Sequence, residues 1–357
     1  MANKTLRQWV ADWVGLPMAD VLVEIVAGDA SPRQYYRVHF LRRPPENCIP
    51  PRHLTLIAVS SPASEKNTEF LQVRDALDAA GIRVPGCIAS DLSNGYLLLE
   101  DLGDQTLLPL LSLDTAEAYY QQAVTMLVGI AAIEKELLPL LPYSPAYLQR
   151  ELDLFVDWFC QRLLGLSVDE SCTVVFEALS RVLIDSATAQ PQVVVHRDFH
   201  SRNLMVLADE TLACIDFQDA VRGPVTYDPV SLFKDCYIAW PRVYQLGWLE
   251  RYRKNLLQTG VITGATAEDF IEWFDLMGLQ RHLKVLGIFA RLDARDGKSG
   301  YLEDLPLVLH YVQEVLALYA RRAPEINAFH DWFMATVMPS VVDQPWFKTM
   351  PPDAPPP

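Results

Sequence analysis

The sequence predicts an α+β fold with two lobes, a small one built on an antiparallel sheet and a large, mainly helical one. Three observations predict it. Short β-prone runs cluster before residue 100, helical periodicity dominates from about Leu111 onward, and a single patch of short strands at 192–219 interrupts the helices. At 357 residues the chain also exceeds the usual single-domain size. The division expected is residues 1–102 for the small lobe, 103–345 for the large lobe, and a proline-rich tail over 346–357.

Residues 3–15 alternate polar and apolar positions with helical spacing. Val21–Ala27, Tyr35–Phe40, His53–Val59 and Tyr96–Leu99 then read as strands separated by turn-rich segments. Between the last two lies Thr68–Ala80, a helical stretch ended by Gly81. Pro44-Pro45 and Pro50-Pro51 bracket the loop between the second and third strands. In the large lobe, Thr115–Lys135 is long and periodic, and Ser144-Pro145 forms an N-cap and first turn opening a helix toward Leu164. Val193–Val195, Leu204–Leu207 and Leu212–Ile215 read as short strands, with Asp209-Glu210 turning between the last two. Helices resume at Asp228, which reads as an N-cap before Pro229. They continue through Arg242–Leu257, Ala267–Arg295, Leu302–Arg321 and Glu325–Val337.

Half of the residues are apolar, including 8 Trp, 14 Tyr and 14 Phe, enough for a sizeable core. The formal net charge of −15 argues against a nucleic-acid surface and against an anionic membrane. The six cysteines carry no CxxC pair and read as buried free thiols. No run of 18 apolar residues is free of charges or breakers, and the first residues lack a signal-peptide pattern, so a cytoplasmic protein is expected. No obligate protein partner is evident.

The chemistry concentrates in VVVHRDFHSRNLMVL, followed thirteen residues after Asn203 by Asp216 in LACIDFQD. His196-Arg197-Asp198 and Asn203 match the kinase catalytic loop H-R-D-x-x-x-x-N. Phosphoryl transfer needs positioning and neutralisation of phosphate charge. Asp198, on a loop after a strand, is placed to accept a hydrogen bond from an attacking hydroxyl, with His196 holding the loop. Magnesium wants a few hard oxygen ligands, and the amide oxygen of Asn203 and the carboxylate of Asp216 supply them. The negative overall charge does not exclude a nucleotide, because a bound Mg²⁺ brings its own positive charge. A competing reading of His196-x-Asp198-x-His200 as a metal cluster lacks a further His or Cys ligand nearby.

His200, two residues after Asp198, resembles the aminoglycoside-phosphotransferase and choline-kinase superfamily, where protein kinases carry Lys. Asp216-Phe217-Gln218 stands where protein kinases have Asp-Phe-Gly, and Gly223–Pro229 is similar to the Gly…Tyr-Asp element of the phosphotransferases. The stretches HRDFHSRNLM, IDFQDAVRGPVTYDPVSLFKDCY and LQRHLKVLGIFARL, with RDGKSGYLEDLP after them, look like the bacterial anomeric kinases of N-acetylmuramate and N-acetylglucosamine. That resemblance spans about Gly28 to Leu305. It implies a bilobal protein-kinase-like fold and transfer of the γ-phosphate of ATP to the C1 hydroxyl of an amino sugar, in cell-wall recycling.

On the nucleotide side, Gly28–Gln34 sits where a phosphate-covering loop belongs, with Ser31 and Arg33 as candidate contacts. The third strand lacks the lysine that a kinase-like site normally carries; Lys66 and Arg33 are candidates for the missing charge, and Glu69 opens the following helix. Leu97–Gly103 resembles the inter-lobe hinge, where backbone groups of Glu100 and Leu102 would bind adenine. On the acceptor side, Gln218, Asp219 and Arg222 follow Asp216 closely, with His200 beside the base. A lactyl carboxylate favours an arginine, with Arg222, Arg281 and Arg291 as candidates. Tyr227, Trp240 and Trp273 are either core residues or sugar-stacking platforms. Two rival functions remain: a kinase for another small hydroxylated substrate, such as an aminoglycoside or choline, and a regulatory pseudokinase, which the absent strand lysine motivates.

Overall fold

Period-two alternation places Val21, Val38, Leu56, Ala58 and Leu98 in one buried cluster against a sheet face. In this computed structural model, which describes residues 5–26, 33–45, 55–62 and 65–349, that sheet has five strands. They are β1 (Val21–Ile25), β2 (Gln34–Phe40), β3 (Thr55–Ser60), β4 (Cys87–Asp91) and β5 (Tyr96–Glu100), in the order β1-β2-β3-β5-β4 with every pair antiparallel. Helix α1 (Leu6–Val14) adds Val10, Ala11 and Val14 to the same cluster. It opens on Thr5, whose hydroxyl accepts the Gln8 N–H, and stops at Gly15 with φ 69°. Helix α2 (Asn67–Ala79) follows β3. Strand β4 escaped the sequence reading because CIASD offers little alternation, and its register shifts between Cys87 and Ala89.

The chain divides into two compact units that do not follow a single cut. One comprises Met1–Gln105 with Met205–Gln218, and the other Thr106–Leu204 with Asp219–Pro357. The first therefore takes in most of the hairpin β7 (Leu204–Val206) and β8 (Leu212–Cys214), a segment the sequence reading placed in the large lobe.

The second unit is mostly helical: α3 (Ala116–Ala131), α4 (Pro145–Leu154), α5 (Glu170–Ala189), α6 (Tyr227–Phe233), α7 (Arg242–Thr259), α8 (Ala267–Asp296), α9 (Leu305–Tyr319), α10 (Pro324–Trp332) and α11 (Met338–Val342). The Ser144 hydroxyl caps α4, and Pro145 occupies its first turn, as the sequence predicts. Beyond Leu154 the helix widens into a π-helical stretch, Phe155–Leu163. The thirty-residue α8 is the central rod, burying Phe274, Leu279, Leu283 and Leu286. Strand β6 (Gln192–Val195) pairs antiparallel with β9 (Val221–Pro224), which its Gly and Pro had hidden in the sequence.

Trp346 belongs to the helical core at 8% exposure, so the predicted tail does not begin there; residues 350–357 lie outside the described part. The five described cysteines are free, and four of them are buried. Among the described residues no helix is long and apolar enough to cross a membrane.

Candidate active site

Strand β6 is buried over Val193–Val195 and delivers the chain into His196-Arg197-Asp198. Arg197 there takes φ 76°, a left-handed conformation that residues other than glycine rarely adopt. Asp228 holds it. Its carboxylate accepts the backbone N–H of His196 at 2.7 Å and that of Arg197 at 2.9 Å. Asp228 is thus not the N-cap the sequence suggested. The cap position of α6 is Thr226, and no side chain caps that helix, because the carboxylate faces the loop instead. Burial pushes the Asp228 carboxyl up to about 7, against the two N–H donors. His196 is buried, and its Nδ1 accepts the Asp198 N–H at 3.3 Å, so it braces the loop from within.

Around Asp198 lies a knot of charge. Arg197 donates to Glu151 at 2.5 Å, and Lys284 approaches the same carboxylate at 3.0 Å. Tyr143 also donates to Glu151, and Lys284 donates to the Tyr227 hydroxyl at 2.8 Å. The Arg197 guanidinium lies over the Tyr147 ring at 5.1 Å. Burial would raise the Asp198 carboxyl, but Lys284, Arg197 and Arg281 outweigh it and hold Asp198 below its ordinary value. It is an ionised acceptor at neutral pH. Glu151 and Lys284 had no local motif to betray them; they come from α4 and α8, far away in sequence.

The loop is closed by its own backbone. Asn203 Nδ2 donates to the Asp198 carbonyl at 3.0 Å, and the His200 N–H donates to the same oxygen at 3.0 Å. Asp235, also missed in the sequence, accepts both the N–H and the hydroxyl of Ser201, at 2.9 and 2.5 Å. Burial holds His200 below its ordinary value, hence neutral, and its ring meets Tyr237 edge-on at 5.4 Å. Among the described residues no group of three or more His, Cys, Asp or Glu side chains is placed to hold a metal.

In the first unit, Asp216 has φ 66°, again left-handed, and its carboxylate accepts from Gln218 Nε2 at 2.6 Å. Phe217 is buried and stacks on Phe70 of α2, with ring centroids 5.0 Å apart. Arg33 is buried over the Phe70 ring, donating to Ser61 Oγ, the Glu65 carbonyl and Asn67 Oδ1. These bonds make Arg33 a brace for the segment between β3 and α2 rather than an outstretched phosphate ligand. Lys66 is exposed at the N-terminal cap of α2 with φ 50°, and Glu69 is exposed in the first turn; no ion pair joins them. Ser31 lies outside the described residues. The Glu100 side chain pairs with Arg83 at 2.5 Å, its N–H donates to the Gly86 carbonyl, and Leu102 follows on the loop after β5.

The predicted acceptor residues divide. Asp219 is exposed, and its carbonyl accepts from Arg197 at 3.4 Å. Arg222 laces the chain together: its guanidinium donates to the Gln192 and Ile133 carbonyls, and its backbone bonds to Leu141 and Tyr143. These bonds are to the protein's own backbone. Arg281 is buried with its guanidinium on Cys236 Sγ at 3.4 Å. Tyr227 and Trp240 are core residues, the latter donating to the Tyr120 hydroxyl at 2.7 Å.

Residues 23–267 match the phosphotransferase enzyme family. The chain belongs to that family. It is 40% identical over 300 residues, 84% of each chain, to an N-acetylmuramate/N-acetylglucosamine kinase of Pseudomonas putida. It is 38% identical over 316 residues, 88% of each chain, to a protein of the same name from Pseudomonas aeruginosa. Among solved structures, an ADP-bound aminoglycoside phosphotransferase superposes with TM-score 0.57 at 12% identity, over 87% of this chain and 98% of that one. A choline kinase from Streptococcus pneumoniae superposes with TM-score 0.58 at 13% identity, with the same coverage. The last two likenesses show the protein-kinase-like fold. The phosphotransferase is a small-molecule kinase.

For such a phosphotransferase a hard divalent cation is implied, and Asn203 and Asp216 each carry an oxygen donor of the type it takes. The Asn203 amide nitrogen donates to the Asp198 carbonyl, so its oxygen is the end of the side chain that could ligate a metal. Asp216 offers a carboxylate. Oxygen donors of this kind suit Mg²⁺, which keeps several waters and needs few protein ligands.

Proposed function

We propose that this phosphotransferase moves the γ-phosphoryl group of ATP to the anomeric C1 hydroxyl of N-acetylmuramate or N-acetylglucosamine. The observation that carries the reading is the ionised Asp198, half-buried among cations on a loop fastened at both ends. The substrate comes from the relatives named as kinases of these two sugars, which match most of the chain. Asp198 accepts a hydrogen bond from the acceptor hydroxyl and aligns its oxygen on the γ-phosphorus. As the new P–O bond forms, the bond to the bridging oxygen of ADP breaks and the hydroxyl proton passes to Asp198. Mg²⁺ held by Asn203 and Asp216 would neutralise phosphate charge when bound. His196 and Asp228 keep the loop in register, and His200, neutral, lines the acceptor side. Gln218 and Asp219 extend that side, while Lys66 at the head of α2 and the backbone of Glu100 and Leu102 face the nucleotide. The reaction belongs in the cytoplasm, where ATP is available.

The test is ATP consumption by the purified protein with N-acetylmuramate, N-acetylglucosamine, choline and kanamycin, with and without Mg²⁺. Turnover of the two sugars is expected, lost on chelation, and reduced by about 10²-fold or more in Asp198→Asn. Activity confined to choline or kanamycin would sink the sugar reading. Full turnover in Asp198→Asn would sink the role of the base.

A further inference from the structure

Resting on the sugar-kinase reading, we infer that a hollow beside the catalytic loop is an acceptor subsite that reads the lactyl carboxylate of N-acetylmuramate through Arg202 and Lys298. The hollow measures about 400 Å³ and is lined by Arg202, Lys298, Gly300, Tyr301, Glu303 and Asp304. That volume lies within the usual range for a small-molecule site. All six residues belong to the second unit, and Arg202 stands between Asp198 and Asn203 on the catalytic loop itself.

Contiguity with the base runs through two rings. His200, whose Nε2 lies 3.4 Å from Asn203 Nδ2, packs edge-on against Tyr237, and the Arg202 guanidinium sits over that same ring at 3.5 Å. At that distance the guanidinium carbon rests against the ring, and a planar guanidinium held there can meet a carboxylate with two of its N–H groups. Neither Arg202 nor Lys298 belongs to an ion pair among the described residues, and no side-chain hydrogen bond there uses their donors. Of the other candidate arginines, Arg222 is bonded to two backbone carbonyls and Arg281 is buried on Cys236, while Arg291 does not line the hollow.

The remainder of the lining suits the rest of such a ligand. Glu303 and Asp304 supply acceptor oxygens for sugar hydroxyls and for the acetamido N–H. Burial pushes the Asp304 carboxyl up to about 6, opposed by Arg202 and assisted by Asp235 and Glu303. Two cations and two carboxylates around one hollow match an acidic, hydroxylated amino sugar better than a polycationic antibiotic, which calls for acid alone.

The experiment measures kcat/KM of the purified protein, with ATP and Mg²⁺, for N-acetylmuramate, for its lactyl amide and for N-acetylglucosamine. The wild type should prefer the acid to the amide by about tenfold or more, the effect of a charge-assisted hydrogen bond. Arg202→Gln combined with Lys298→Gln should bring the acid down to the level of the amide, and Lys298→Arg should retain the preference. Equal use of acid and amide by the wild type overturns the subsite without needing any variant to fold. So does a preference that survives in the double variant. A wild type active on none of the three sugars overturns the kinase reading, and the subsite with it.

Discussion

Glu151 and Arg197 form a 2.5 Å ion pair with side-chain exposures of only 7% and 11%, and that pair anchors the left-handed turn before Asp198. Burial would raise the Glu151 carboxyl, but Lys284 and Arg197 outweigh it and hold it below its ordinary 4.5. A depressed carboxyl stabilises the fold above its unfolded pKa, and that stability is lost as pH falls through the folded one. Glu151→Gln leaves Arg197 and Lys284 buried without their common counter-charge. It should cost about 3–5 kcal/mol at pH 7. Urea unfolding should show the deficit narrowing below about pH 4.5, where the unfolded carboxyl takes up its proton before the folded one does. A deficit that does not change between pH 7 and pH 4 would contradict the assignment.

Asp228 carries the opposite sign. Its carboxyl is pushed up to about 7, above the ordinary 3.8, so its stabilisation is full below 3.8 and lost as pH rises through about 7. Asp228→Asn presents one acceptor oxygen where two N–H groups converge, leaving one of them unpaired. The expected loss is about 1–3 kcal/mol at pH 5. The difference from wild type should shrink toward pH 8, since the amide never ionises. Because the loop carries Asp198, kcat should fall by more than KM rises; steady-state kinetics at saturating ATP separate the two.

Lys284 is the charge that acts most strongly against protonation of Asp198, ahead of Arg197. With Asp198 held below 3.8, the wild-type pH profile of kcat should show no acid limb from this group between pH 7 and pH 5. Lys284→Met keeps the side-chain volume and removes the charge. An acid limb should then appear at higher pH than in the wild type. A profile that only scales down, without shifting, would make Lys284 structural.

What was legible in the sequence was local. The spacing of His196, Asp198 and Asn203 survives any packing, and so does the periodicity of a helix such as α8. What was not legible depends on contacts between distant segments. Arg222 and Asp228 lie only 19 and 25 residues beyond Asn203, and their types suggested a sugar contact and a cap. In the structure both bond to the protein's own backbone. Arg33 fell the same way, since a lone arginine near a glycine turn says nothing about the three acceptors waiting beside Phe70. Arg202, in one of the unspecified positions of the motif, was passed over because a motif records only what the chemistry shares, not what distinguishes substrates.

Gly287 tests whether α8 is the rod on which the catalytic cations are mounted, because a Cβ there would lie 2.3 Å from the backbone C and O of Leu154. Leu154 ends α4, where the helix widens into its π-helical stretch, so the approach is backbone against backbone and no side-chain tip can swing away. Two effects of Gly287→Ala compete. Helix propensity favours alanine by about 1 kcal/mol, whereas overpacking costs typically 1–3 kcal/mol and more when backbone must move. The clash is severe enough for the second to win, and thermal unfolding should show a net loss of about 2 kcal/mol. Gly247, in α7, has nothing within 4 Å of the same virtual atom, so Gly247→Ala should show the propensity term alone and raise stability. Equal effects in the two variants would mean that α8 does not press on Leu154. If the helices are forced apart, Lys284, one turn before Gly287, draws away from Glu151, and kcat should fall together with stability.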